Sequence, residues 1–324
     1  MIKNTSKLAG WAASSLALVA TAFADVKVNE HISVNGYAVG AATSTDVDGG
    51  ANVDTYFESK GSPAVVNADA VKLGVLGTFD SVSAYGSVLY LPGAANEAGL
   101  LDAYVTFDTG TGLKLTGGKF LSYLGYEAFD PINMTQLTYG STIYAIPGYH
   151  SGAKVDFSGS GFSAGVAVVD SVFHGANGFF EGDREFDEDI GFEAYVSITS
   201  IEKLTIFAGI ASEDTDGAAD DLFIFDLWAS YAVTDKLTIA GEFDVQEDVM
   251  SGWLLFAGYS FTDQFSTIFR VSGVEWDGGG NDTKYTVAPT YKINDNFSLR
   301  AEFSVGEGDS GDYTFVGGQV VFKF

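Results

Sequence analysis

The chain contains no cysteine, which closes disulfides, thiolate metal sites and thiol catalysis. It also closes the bacterial lipid anchor that needs a cysteine at its cleavage point. Only five prolines occur, and no Pro-rich break or linker divides the chain. The three histidines are His31, His150 and His174. None has a serine at diagnostic spacing, and no GxSxG or HExxH motif is present, so no enzyme or catalytic residue is expected. Basic residues are scarce, 16 against 43 acidic ones, for a net charge of −27. A chain this acidic does not bind nucleic acid through phosphates. Beyond the N-terminus no apolar run approaches about 18 residues, which excludes helical membrane spans.

The N-terminus reads as a leader. Lys3 and Lys7 precede an apolar-to-small run from Trp11 to Phe23, and Ala22-Phe23-Ala24 is a small-x-small cleavage site before Asp25. Residues 1–24 are therefore expected to be a signal peptide and 25–324 one domain. The run is too short to span about 30 Å of hydrocarbon.

Forty glycines and a composition rich in Tyr and Phe accompany a period-two rhythm. In Lys236 to Asp248, Leu237, Ile239, Phe243 and Val245 alternate with Thr238, Ala240, Glu242 and Asp244. Phe297, Leu299, Ala301, Phe303 and Val305 oppose Ser298, Arg300, Glu302 and Ser304. Val71, Leu73 and Val75 oppose Lys72, and Phe192, Ala194 and Val196 oppose Glu193. A charge recurring mid-strand is costly in a dry core and ordinary in a water-filled lumen.

Strands fall at about 31–41, 66–79, 82–91, 99–108, 112–120, 149–158, 161–172, 188–199, 202–213, 220–233, 236–247, 251–262, 264–276, 284–294, 296–307 and 312–324. Short turns follow the even strands, and longer loops follow the odd ones. That sorting predicts an all-β, transmembrane antiparallel barrel of sixteen strands in the bacterial outer membrane, with short periplasmic turns, longer extracellular loops and both termini periplasmic. Closure removes the edges that would aggregate and satisfies the backbone groups that lipid cannot. Val320, Phe322 and Phe324 end the last strand on an aromatic. That ending resembles the terminal signature by which bacterial barrels are recognised for insertion.

The third long loop, 121–148, breaks the pattern. It is rich in Tyr, Phe, Leu, Ile and Met where other loops are acidic and Gly-rich. Side chains of this kind must bury against something. The reading favoured is that the loop folds into the barrel and narrows it; it could instead cover a subunit interface or pack on itself. Tyr126, Glu127, Asp130, Asn133 and Tyr139 are the expected constriction residues.

Gly118-Lys119-Phe120, Gly125-Tyr126-Glu127, Pro147 and His150-Ser151-Gly152 before Lys154-Val155-Asp156-Phe157 resemble the central motif of the OmpL-like β-barrel porin-2 family. The chain differs in carrying Tyr139-Gly140-Ser141-Thr142 where an Arg-containing stretch is common. The resemblance implies an outer-membrane pore, and its strand count a homotrimer; it does not identify the solute.

Strand parity places Lys72, Lys154, Arg270, Lys292 and Arg300 on the lumen face, with Asp102, Asp156, Glu193, Asp226, Glu242, Asp244 and Glu302. Opposed signs would set a transverse field across a constriction. Lys72, Arg300 and Lys292 are expected to cluster and to face Glu127 and Asp130, although one bulge would flip several assignments. The acidic outer loops 181–189, 213–221 and 275–282 would favour cation entry. Asp214, Asp216, Asp220 and Asp221 lack EF-hand spacing, so no metal and no cofactor is expected. The function expected is passive diffusion of small hydrophilic solutes and ions, with outer-membrane lipid and lipopolysaccharide as neighbours. An adhesin or receptor is the alternative, and an outer-membrane enzyme a more distant one.

Overall fold

A computed structural model of the chain describes residues 25–48, 53–56, 69–92, 98–173, 190–214, 221–309 and 311–324. Sixteen strands form one antiparallel sheet closed on itself. In chain order they are β1 (Ile32–Val47), β2 (Ala70–Phe79), β3 (Val82–Tyr90), β4 (Ala98–Asp108), β5 (Leu113–Leu121), β6 (Tyr149–Gly159), β7 (Phe162–Val169) and β8 (Gly191–Ile198). There follow β9 (Leu204–Glu213), β10 (Leu222–Ala232), β11 (Leu237–Gln246), β12 (Met250–Ser260), β13 (Phe265–Trp276), β14 (Asn281–Lys292), β15 (Phe297–Gly308) and β16 (Tyr313–Lys323). Two short strands supplement them. Val53–Tyr56 pairs with the outer half of β1, above β2, and Val26–Lys27 folds back on the start of β1.

Closure runs through β16 and β1, from Tyr313 opposite Val47 to Lys323 opposite Tyr37. Phe324 and Gly36 then exchange backbone hydrogen bonds of 3.0 Å in both directions. β1 extends to Val47, beyond the expected end at 41, because β16 pairs with it throughout. β7 stops at Val169, short of 172. There the Asp170 side chain accepts the Ser151 and Ser171 amides, and Val172 N–H donates to Glu213 instead of to a neighbouring strand.

Connections after the even strands are all short. Those after the odd strands are longer early in the chain but shrink to three or four residues after β11, β13 and β15, where the sequence rhythm predicts longer loops. Three successive tight turns use one device: the side chains of Thr234, Thr262 and Asn294 each accept the amides two and three residues on. These side chains imitate a backbone turn and free the chain to reverse within four residues.

Along β11, Thr238, Ala240, Glu242 and Asp244 are buried while Ile239 and Phe243 are exposed. Leu255 on β12 is 61% exposed and Leu73 on β2 51%. Such an outward apolar band belongs in hydrocarbon. Aromatic contacts edge the band on the short-turn rim, among them Tyr259–Phe261 and Phe261–Phe265 at 4.8 and 5.3 Å. No helix among the described residues is long and apolar enough to cross a membrane; strands do the crossing.

Among the described strand pairs one bulge falls on the inner wall. Ser87 faces Asp102 while Val88 faces Leu100, so Leu101 is the extra residue of β4. Asp102 stays on the buried side with Ser87, whose hydroxyl donates to it at 2.6 Å.

Candidate functional site

Inside the barrel, the third long loop meets side chain after side chain of the inner wall. Its first turn is held by carboxylates. Glu193 on β8 accepts the Ser122 hydroxyl at 2.5 Å and Tyr123 N–H at 3.1 Å. Asp226 on β10 accepts Gly125 N–H at 2.8 Å, and Glu242 on β11 accepts Tyr126 N–H at 2.5 Å. A loop without regular structure leaves its amides unpaired. Buried acidic side chains here take the place of a neighbouring strand.

The chain then crosses to the opposite wall. Asp130 meets Lys72 on β2 at 3.0 Å, and Lys72 also pairs with Asp102 at 3.0 Å. Tyr37 of β1 donates to Asp130 at 3.1 Å. Arg300 on β15 donates to the carbonyls of Pro131 (2.5 Å) and Ile132 (3.4 Å).

On its return the loop reaches a second set. Glu302 on β15 accepts Leu137 N–H at 2.6 Å, Thr138 N–H at 3.0 Å and the Thr138 hydroxyl. Arg270 on β13 pairs with Glu127 at 2.5 Å and donates to Thr138 O at 2.7 Å. Lys284 on β14 donates to the Thr138 hydroxyl at 2.5 Å and Tyr139 O at 3.0 Å. The Tyr139 phenol donates to Phe129 O at 2.7 Å. Burial, then the charges of Glu127 and Asp130, push its pKa well above the ordinary value, so it stays a donor.

Close approach needs small residues. A side chain at Gly140 would meet Leu254 at 2.7 Å, and one at Gly252 would stand 3.3 Å from the Thr142 backbone. Apolar packing fills the remaining space. Tyr123, Leu124 and Tyr126 join Tyr195, Phe207, Trp228, Leu254 and Phe256 of the wall, and Ile132 joins Tyr37, Leu89 and Tyr149 on the far side. Burying side chains of this size contributes about 1.5–3 kcal/mol each. On the loop Asn133 and Tyr144 are exposed, Asp130 and Thr135 are partly so, and the Glu127 side chain is nearly buried beside Arg270.

Most of the sequence-expected lumen residues point inward and are buried. Lys154 is half-buried, its ammonium 4.5 and 4.8 Å from the Phe120 and Tyr123 ring centres. Asp156 lies near the Tyr195 hydroxyl, at 3.4 Å. Lys292 is exposed on the turn side of β14. The expected grouping of Lys72, Arg300 and Lys292 opposite Glu127 and Asp130 divides: Asp130 takes Lys72, whereas Glu127 takes Arg270 on another wall. Lys284 joins this set unanticipated by the sequence pattern, although it shares the parity of Thr286, Thr290 and Lys292. His150, fully buried, stands 3.4 Å from Glu193 and edge-on to Phe120. His174 and the acidic stretches 181–189 and 215–220 lie outside the described residues.

A family profile described as "Putative beta-barrel porin-2, OmpL-like" matches residues 82–320. The chain belongs to that family. Porin-2 membership makes it a porin-like channel protein of the bacterial outer membrane, and solved structures agree on the fold. OprB of Pseudomonas putida shares 9% identity at TM-score 0.69, over 91% of this chain and 94% of that one. An anion-selective porin from Comamonas acidovorans shares 12% at 0.64, over 90% and 99%. OmpT of Vibrio cholerae, in a trimer form, shares 14% at 0.57, over 91% and 100%. Among curated proteins none matches this porin-2 chain in sequence.

Proposed function

We propose that the protein forms a water-filled channel for passive diffusion of small hydrophilic solutes and ions, narrowed by loop 121–148 and preferring cations. The observation that carries this is the loop's course from β8 and β10 across to β2 and back to β13–β15, held at every stage by wall charges. A loop fixed this way defines a permanent narrow section. Asn133 is exposed there, and the Asp130 side chain keeps partial contact with solvent. Acidic side chains outnumber basic ones along wall and loop, which lowers the energy of a cation passing a low-dielectric constriction. The fold itself does not set the sign, since the Comamonas neighbour of like fold is an anion-selective porin. A homotrimer with a cleaved leader completes the reading.

Planar-bilayer reconstitution tests it. Stepwise conductance with a cation-selective reversal potential is expected, and joint Glu127→Gln and Asp130→Asn should shift that potential toward zero. An unchanged potential in the double variant would remove the constriction; absence of steps would remove the channel and favour a surface protein.

A further inference from the structure

Three wall carboxylates behind the start of the loop are only partly explained by holding it. Asp226 on β10 and Asp244 on β11 are direct partners in the register, and Glu242 lies two residues along β11 on the same inward face. Ligand-capable oxygens of the three lie within 4.8 Å of one another. All three side chains are buried, Asp226 and Asp244 completely. Asp226 spends Oδ2 on the Gly125 amide, and Glu242 spends Oε1 on the Tyr126 amide. Their remaining oxygens have no hydrogen-bond partner. Asp244 goes further, with no hydrogen-bond donor on either oxygen. Among the described residues no lysine, arginine or histidine forms an ion pair with any of them.

A buried carboxylate without a donor must either take up a proton or find compensating positive charge. Here one such side chain is aimed at two others whose free oxygens face it. Oxygen-only, acidic donors suit a hard cation. Calcium holds oxygens at about 2.3–2.6 Å, so donors on opposite sides of the ion stand up to about 5 Å apart, a span that accommodates oxygens within 4.8 Å of one another. We propose that Asp226, Glu242 and Asp244 form a calcium-class divalent cation site that fastens β10 and β11 to the loop at Gly125 and Tyr126. The site is independent of which solute the channel passes.

Terbium luminescence tests it on purified full-length protein, folded in detergent and stripped with EDTA. Trp228 pairs with Glu242 in the register, so it should sensitise terbium bound there. Titration with TbCl3 is expected to give saturable emission that CaCl2 displaces. The midpoint should weaken at least tenfold in Asp244→Asn and stay unchanged in Asp277→Asn, which removes an exposed acid from the outer turn after β13. Trp228→Phe should lose most of the emission while equilibrium dialysis shows its calcium still bound; this pair decides the matter should Asp244→Asn fail to fold. Unfolding of the wild type should shift to higher temperature in CaCl2 than in EDTA. Equal terbium midpoints in wild type and Asp244→Asn, full emission from Trp228→Phe, or identical melting with and without calcium would each overturn the site and leave shared protons as the account.

Discussion

Among the buried charges that hold the loop, two groups are composed differently. At the loop's return, Glu302 and Glu127 stand among Arg270, Lys284 and the Thr138 donors, so acid and base are matched within one network. At its start, Asp226 and Glu242 accept single amides and Asp244 accepts nothing, with no base beside them. The balanced group can be broken only by removing a partner. The unbalanced group is relieved by removing a member, unless a cation is bound. The same substitution chemistry should therefore carry opposite signs at the two ends of the loop.

The largest effect is expected at Arg270. Arg270→Met takes the ion-pair partner from Glu127, leaving it the Gln136 amide and Gly140 N–H, and takes the donor from the Thr138 carbonyl. Breaking one side of a buried pair costs about 3–5 kcal/mol. Urea unfolding of the detergent-folded protein measures it. A loss below about 1 kcal/mol would show that the balanced group does not hold the loop.

Glu302→Gln ranks next. A neutral amide still accepts one of the Leu137 and Thr138 donors but gives up charge-assisted bonds, a loss of about 1.5–3 kcal/mol. Hydrogen exchange should register it locally, as faster exchange at the Leu137 and Thr138 amides with β11 unaffected. Uniform loss of protection around the barrel would mean that Glu302 supports the wall and not the loop.

Where these groups would assemble was only half legible in the sequence. Period-two alternation sufficed for sixteen strands, because every inward position of β11 or β15 has an outward apolar neighbour. It also put Glu302, Arg270 and Asp244 on one face. Parity gives a face, however, and says nothing about which loop residue reaches it. Glu127 was expected near Lys72 and pairs with Arg270, since the loop crosses the lumen between residues 127 and 130. Lys284 was readable, being eight residues from Lys292 on the same face. Asp226 and Asp244 became neighbours only through the β10–β11 register, which a two-residue slip would have undone without changing either face.

Asp244→Asn reverses the sign. In EDTA it removes one of three mutually repelling carboxylates, and a gain of about 1 kcal/mol is expected. In millimolar calcium the wild type should recover that difference and exceed the variant. Parallel melts of the two proteins with and without calcium give the crossing. A variant less stable than wild type under both conditions would place the two groups in one class after all.

The smallest effect belongs to Lys292. It shares the inward parity of Arg300's neighbours on β14 but lies exposed at the turn side, beyond the reach of the loop. Arg300, buried in the same part of the wall, donates to two loop carbonyls. An exposed ammonium is screened within about 8–10 Å at physiological salt. Lys292→Gln should therefore shift stability by no more than about 0.5 kcal/mol and leave the reversal potential unchanged at 0.15 M salt. A measurable shift in selectivity would move the narrow section from loop 121–148 toward the periplasmic rim.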